Sequence, residues 1–241
     1  MKIALLGYGK MGKEIEKIAL ERNHEIVLKI GIENLSDLTI EKLSTADAAI
    51  EFSTPESAVE NIRKCFTANV PVVIGTTGWL ERLEEIKKDC LDSGQTMLHA
   101  SNFSVGVNLF FELNKQLAQL MNPHADYDVL MEETHHTQKL DAPSGTAITL
   151  AEDILKILNR KNNWTKVATS NPSDLEIKSY RVENVPGTHT VKYTSEIDDI
   201  QITHTAHGRK GFALGAVIAA EWVFDKSGIF SMSDVLKINN K

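Results

Sequence analysis

Apolar and polar positions recur with two different periods along this chain, and the change of period divides it. In the first hundred residues short apolar runs, Lys2 to Leu6, Glu25 to Ile30, Asp47 to Phe52, Pro71 to Ile74 and Thr96 to His99, read as buried strands. Between them Met11, Ile15, Ile18 and Ala19 fall at helical spacing before Asn23, and further helix-like segments cover Pro55 to Ala68 and Leu80 to Leu91. Strands alternating with helices predict a parallel sheet with right-handed crossovers, the doubly wound α/β class.

Past about residue 104 the pattern changes. A long helix-like segment, Val107 to Met121, precedes a strand at Tyr127 to Glu133, and a second helix starts near Thr146. From Leu175 onward the chain alternates as strands do, in Ile177 to Val182, His189 to Ser195 and Ile200 to His204, with no helix between them. That predicts a mixed or antiparallel sheet in a second, α+β domain. A last apolar helix, Phe212 to Phe224, is expected to return to the first domain, so the division is residues 1–104 plus 209–241 against 105–208.

Composition narrows the class. A chain of 241 residues with a 42% hydrophobic and 24% charged fraction is an ordinary globular protein, and no stretch approaches the ~20 apolar residues needed to cross a bilayer. The amino terminus, Met1 to Gly7, leads straight into a strand and lacks a signal-peptide core, so the expectation is a soluble cytoplasmic protein that is not exported. Cys65 and Cys90 are the two thiols, each in a helix-like segment, too few for a disulfide framework or a four-ligand zinc site. The formal charge of −7, with no cluster of basic and aromatic residues, argues against nucleic acid as a partner.

Gly7-Tyr8-Gly9-Lys10-Met11-Gly12 fits G-x-G-x-x-G between a predicted strand and a predicted helix. Gly7 allows the tight turn, Gly9 lets backbone approach a pyrophosphate, and Gly12 lets the helix pack close to the strand. This is the signature of a Rossmann-type dinucleotide site. The acid that holds the ribose should end the second strand, but Gly31 stands there and Glu33 comes two residues late. Either Glu33 reaches the ribose, or Lys29 favours a 2′-phosphate, or both are solvated, and NADH against NADPH stays open. Gly75-Thr76-Thr77-Gly78 and Ser101-Asn102-Phe103-Ser104 follow later strands at the edge where open parallel sheets bind ligands, and each is a candidate for the nicotinamide end or a plain polar loop.

Residues 132–146, Glu-Glu-Thr-His-His-Thr-Gln-Lys-Leu-Asp-Ala-Pro-Ser-Gly-Thr, hold the densest polar chemistry. Ser144, Gly145 and Thr146 precede an amphipathic helix, Ala147 to Leu158, so free N–H groups there form a seat for a carboxylate. If the chain stays extended through Lys139, alternation puts His135, Thr137 and Lys139 on one face and His136 on the other. An imidazole and an ammonium then converge, a pair suited to moving a proton as hydride reaches an imine or enamine. A zinc site is not expected, because no Cys lies nearby and His204 and His207 fall on opposite faces of one strand. Arg209 and Lys210 either hold a second carboxylate or form a solvated loop.

The combination resembles the 4-hydroxy-tetrahydrodipicolinate reductase family, the dihydrodipicolinate reductases of lysine and diaminopimelate biosynthesis. The likeness rests on the glycine motif, on Val73 to Gly78, Asn102 to Asn108, His135-His136 with Lys139, Asp141 to Thr146, Ile202 to His204 and Phe212-Ala213. The resemblance implies an NADH- or NADPH-dependent reductase acting on a small dicarboxylate in a homotetramer joined through the second domain's sheet. It implies His135 as proton donor or acceptor, Lys139 as proton donor, and His136, Gly145 and Thr146 as substrate-binding groups. By the same likeness Gly75, Thr76, Thr77 and Ser101 to Ser104 line the nicotinamide side. Tyr180 to His189 is shorter than in longer relatives. The same architecture also serves amino-acid and sugar dehydrogenases, and a non-enzymatic sensor of dinucleotide or metabolite is a third reading.

Overall fold

In the computed structural model, which describes residues 1–238, the elements run in chain order as β1 (Lys2–Leu6), α1 (Lys10–Glu21), β2 (Glu25–Ile30), α2 (Ile40–Leu43), β3 (Ala48–Glu51), α3 (Pro55–Thr67), β4 (Val72–Ile74), α4 (Leu83–Asp92), β5 (Thr96–His99) and α5 (Val105–Met121). They continue as β6 (Asp128–His135), α6 (Gly145–Ile157), β7 (Asn163–Thr165), β8 (Asp174–Arg181), β9 (Gly187–Thr194), β10 (Asp199–Ala206), α7 (Lys210–Val223), β11 (Gly228–Phe230) and α8 (Met232–Val235). Two compact units result: residues 1–105 with the chain from Arg209 onward, and residues 106–208.

The first unit is a six-stranded parallel sheet in the order β11-β5-β4-β3-β1-β2. Side chains of β1 alternate between two cores, as a strand's period of two requires. Ala4 and Leu6 pack with Ala58, Ile62 and Cys65 of α3 and with Ile86 and Cys90 of α4. Ile3 and Leu5 pack with Ile15, Ile18 and Ala19 of α1 and with Ala213, Ala216 and Val217 of α7. Helices therefore cover both faces, the doubly wound arrangement. The last helix does return to this unit, and Gly215 lets it press on the Phe103 backbone, where a Cβ would lie 1.7 Å from the carbonyl oxygen. Cys65 and Cys90 are both free and buried.

The second unit is a five-stranded mixed sheet in the order β10-β9-β6-β8-β7, with β6 parallel to β8 and antiparallel to β9. Val129 and Met131 of β6, Leu175 and Ile177 of β8, and Val191 and Tyr193 of β9 face Phe110 and Ala118 of α5 and Leu150 and Ile154 of α6. The opposite face carries Thr134, Thr188, Thr190, Thr203 and Thr205, all at least partly exposed. Several boundaries differ from expectation: β6 runs to His135, and β8 begins at Asp174 rather than Ile177. The short β7, β11, α2 and α8 have three or four residues each, too few to show a period.

Candidate active site

At the exit of β1 the chain turns through Gly7, whose φ of +106° belongs to glycine, and whose Cβ, if present, would meet the Phe52 carbonyl oxygen at 2.0 Å. Gly12 abuts the same turn, with the Gly7 oxygen 2.3 Å from where its Cβ would lie. Gly9 meets nothing within 4 Å. Two of the three glycines are thus demanded by the protein itself, and the third opens space. Helix α1 starts there with no side-chain cap and no acid in its first turn, so its N-terminal N–H groups suit a phosphate. Lys10 is exposed beside Gly9, whereas Tyr8 and Met11 pack on the core beneath.

At the exit of β2, Lys29 Nζ lies 3.2 Å from Glu16 and 5.2 Å from the centre of the Tyr8 ring, and the Tyr8 hydroxyl donates to Glu16. The hydrogen bond from Tyr8 holds the Glu16 carboxyl below its ordinary range. Gly31 donates its N–H to Asn34 Oδ1 at 2.8 Å, and nothing lies closer than 3.8 Å to its absent Cβ, so space does not demand glycine there. Glu33 is exposed in the 3₁₀ turn Ile32–Asp37 that follows.

Gly75 leaves room for the Phe52 ring, which a Cβ would meet at 2.1 Å. The Thr76 hydroxyl is turned inward and accepts the Ser53 N–H at 2.8 Å, while Thr77 is exposed. Beneath them Glu51, fully buried at the end of β3, accepts from the Ser53 hydroxyl and from Asn61 Nδ2 at 3.3 Å. Burial raises its pKa despite those hydrogen bonds. A charged residue inside the apolar run Asp47 to Phe52 is the sequence signal for this group, which lies outside the glycine and threonine motifs. Ser101 is exposed, Asn102 Oδ1 accepts the Ser104 N–H at 2.9 Å, and Phe103 is a core residue whose ring lies tilted against Phe52, centres 5.6 Å apart.

In the second unit β6 ends at His135, and Thr137 and Gln138 form a turn in which Lys139 N–H donates to the His136 carbonyl at 3.1 Å. The expected extended run from His135 to Lys139 is therefore broken, and the shared face with Thr137 and Lys139 does not form. His135 instead continues the inward face of the strand, 7% exposed, with its Nδ1 facing the buried Glu133 carboxylate. Glu133 gives its other oxygen to Arg181 Nη1 at 2.9 Å. Burial pushes the Glu133 carboxyl up, but hydrogen bonds from His135, Ser179 and Arg181 outweigh it and hold the group at about 2. The His135 ring meets His189 edge-on at 5.0 Å, and fits because position 187 is glycine: a Cβ there would lie 3.0 Å from His135 Nε2.

His189 Nε2 lies 3.0 Å from Ser144 Oγ, which also accepts the Ala147 N–H at 3.2 Å and so caps α6. A Cβ on Gly145 would find nothing within 4 Å, leaving the start of α6 open, with no acid in its first turn and Thr146 next in line. His136 is half-buried with Nδ1 unpartnered, and Lys139 Nζ pairs with Asp141 at 2.9 Å. Glu133, His135 and His189 bring ligand atoms within 4.8 Å of one another, and the same carboxylate also pairs with Arg181 at 2.9 Å. His204 lies beside His189 in the sheet and His207 beyond the end of β10. Arg209 and Lys210 are exposed at the start of α7, with Lys210 3.8 Å from Glu21.

Sequence reading found His135 but not its partners. Glu133 was legible from the period of two, which puts it on the face of His135; Arg181, Gly187 and His189 lie some fifty residues away and leave no local signal.

Two family models match, one described as dihydrodipicolinate reductase, N-terminus, over residues 1–103, and one as dihydrodipicolinate reductase, C-terminus, over residues 106–236. The chain is 52% identical over 240 residues to a 4-hydroxy-tetrahydrodipicolinate reductase of Christiangramia forsetii, covering 98% of each. It is 34% identical over 269 residues to the enzyme of the same name from Buchnera aphidicola, covering 98% of this chain and 97% of that one. Among solved structures, a dipicolinate-bound dihydrodipicolinate reductase from Paenisporosarcina sp. TG-14 superimposes with a TM-score of 0.78 at 25% identity, covering 96% of this chain and 97% of that one. An aspartate dehydrogenase from Thermotoga maritima shares the fold alone, with a TM-score of 0.51 at 14% identity over 94% of this chain and 97% of that one.

Proposed function

Because the chain belongs to the dihydrodipicolinate reductase family, we infer that it reduces 4-hydroxy-tetrahydrodipicolinate to tetrahydrodipicolinate, with loss of water, in lysine and diaminopimelate biosynthesis. The observation that carries the reading is the start of α6. Ser144 caps it from beneath, Gly145 leaves it open, no acid opposes it, and the loop that leads into it carries Lys139. One carboxylate of the substrate binds the N–H groups of Gly145 and Thr146 and the Thr146 hydroxyl, and His136, with an unpartnered Nδ1, takes a polar group beside it.

The coenzyme is NADH or NADPH, and it supplies a hydride when bound. The open space at Gly9 and the uncapped start of α1 fit its pyrophosphate, with Tyr8, Lys10 and Met11 completing the turn. Gly75, Thr76, Thr77 and Ser101 to Ser104 stand at the strand exits that receive the nicotinamide, Thr76 acting through its backbone because its hydroxyl is taken by Ser53. Neither Gly31 nor the exposed Glu33 supplies a fixed acid, and Lys29 is a cation at the same strand exit, so both coenzymes are accepted.

Two proton transfers remain for side chains. The substrate hydroxyl leaves as water together with a proton lost from the adjacent ring carbon, and the dehydrated ring accepts one hydride from the coenzyme and one further proton to give product. The Lys139 ammonium supplies the proton to the ring. His135 is the donor or acceptor for the other, working through Nε2 because Nδ1 is held by Glu133. The enzyme works in the cytoplasm as a homotetramer joined through the threonine-bearing face of the second unit's sheet.

The test is oxidation of NADH and of NADPH followed by absorbance, with the unstable substrate generated from pyruvate and aspartate semialdehyde by a coupled synthase. Oxidation that requires the synthase is expected with both coenzymes. No oxidation of either, from protein that still binds them, would overturn the assignment.

A further inference from the structure

One guanidinium touches the supports of both proton-handling groups. Arg181 is the last residue of β8 and sits opposite His135 in the parallel register, with Val182 N–H donating to the His135 carbonyl at 2.8 Å. Its Nη1 donates to Glu133 Oε1 at 2.9 Å, while Glu133 Oε2 faces His135 Nδ1. Its Nε donates to the Lys139 carbonyl at 3.3 Å, and its Nη2 to the Asp141 carbonyl at 2.5 Å. One end of the side chain therefore grips the carboxylate that orients His135, and the other grips the backbone on either side of Leu140, the segment that carries Lys139.

We propose that Arg181 is a positioning residue of this enzyme, fixing His135 and Lys139 relative to one another through Glu133 and the carbonyls of Lys139 and Asp141. The proposal rests on the reading of His135 and Lys139 as the proton-handling pair. The loop it holds joins β6 to α6, and the turn at Thr137 and Gln138 gives it one backbone hydrogen bond of its own, Lys139 to His136. Leu140 at its tip is 97% exposed, so apolar packing does not anchor it. Two carbonyls held by one rigid, planar fork are what define its path. A lysine would match the charge of Glu133 but, as a point charge on a flexible stem, would not reach three acceptors in fixed directions.

The same contacts specify a tautomer. With Glu133 Oε2 ionised against Nδ1, the neutral His135 ring carries its proton on Nδ1, and Nε2, beside Gly187, is left as the working nitrogen. Arg181 pairs with the other oxygen of the same carboxylate at 2.9 Å and so fixes the direction in which Glu133 Oε2 meets the ring, which ties the tautomer to the same guanidinium.

The experiment uses the full chain in two arms. In the first, nitrogen NMR of histidine-labelled protein without substrate, with the His135 signal assigned through His135→Asn, reads the tautomer directly; the Nδ1–H form is expected, and the Nε2–H form overturns the proposal. In the second, Arg181→Lys is expected to lower kcat by about 10- to 100-fold, the scale of an ångström-sized misplacement, with coenzyme affinity within about twofold of wild type. Arg181→Ala should regain activity on addition of methylguanidinium, which a merely destabilised fold would not. Arg181→Lys at wild-type kcat overturns the strut. Failure of the wild-type enzyme to oxidise coenzyme would sink the proposed reaction instead, and the NMR arm would still decide the tautomer.

Discussion

Ser144 Oγ and His189 Nε2 lie 3.0 Å apart, joining the cap of α6 to the third residue of the β9 strand. The hydroxyl has a second partner in the Ala147 N–H, and both side chains are nearly buried, at 2% and 5% exposure. The carboxylate seat proposed at the start of α6 is thereby fixed to the sheet that carries His135, since His135 and His189 stand edge to face on the same inner surface. The rigidity of the site comes from polar contacts on the sheet's inner face, at the end of the apolar core.

Replacing Ser144 by alanine should therefore cost more than a surface cap. Loss of the cap costs about 1 kcal/mol and an unpartnered buried imidazole nitrogen another ~1–3 kcal/mol. For a chain of this size that is a fall in melting temperature of roughly 4–16 °C, measurable by calorimetry. KM for the dicarboxylate should rise while coenzyme affinity stays constant. A melting temperature within a degree of wild type would show that the Ser144 and His189 contact carries no weight.

The pH dependence of stability reports the same cluster. Burial lowers the His189 pKa to about 3, with the neighbouring His135 adding to the fall and Glu133 pulling the other way. The folded value lies below the ordinary 6.5, so the unfolded chain binds the extra proton. The stabilising contribution is complete above 6.5 and is lost as pH falls toward 3, at up to ~1.4 kcal/mol per pH unit. Glu133, held at about 2, adds a loss only below its ordinary 4.5. Melting temperatures should thus fall between pH 7 and 5 by an amount that His189→Asn reduces. An unchanged fall in that variant would assign the acid sensitivity to His99 and His204, whose values burial also lowers.

Two of the motif glycines, Gly9 and Gly12, should separate in their effects. A methyl at Gly12 meets the Gly7 carbonyl oxygen at 2.3 Å, and overpacking of that kind costs about 1–3 kcal/mol. A methyl at Gly9 meets nothing within 4 Å. Gly12→Ala should lower thermal stability, whereas Gly9→Ala should melt with wild type and weaken NADH binding by at least about tenfold in a fluorescence titration. Equal losses of stability in both would remove the argument that Gly9 serves the ligand.

These contrasts show where sequence was informative. The βα alternation, the glycine turn and the helix start at Ser144 are encoded within a dozen residues each, and local periodicity and capping chemistry expose them. The strand ending at His135 was less legible, because the turn at Thr137 and Gln138 contains neither glycine nor proline, and an extended path through Lys139 looked equally good. Arg181, Gly187 and His189 reach the site only through strand pairing across β6, β8 and β9. Their meaning depends on register, which one sequence does not display.

The outer face of that sheet supplies the last prediction. Thr190 and Thr203 approach to 3.1 Å across β9 and β10, and Thr188 and Thr205 to 3.4 Å, while both helices of the unit cover the other face. The four threonines in register make a local patch of short side chains on a face that also carries Leu130, Glu132 and Lys192, and a second sheet would stack there at a spacing of about 10 Å. Placing arginine at Thr190 and at Thr203 puts two long cations in each copy where copies would meet, so light scattering should find a mass below that of four chains, with the monomer's circular dichroism retained. A mass of four chains in the double variant would show that assembly uses another surface. A wild-type mass of one chain would remove the homotetramer altogether and leave the threonine face as a solvated one.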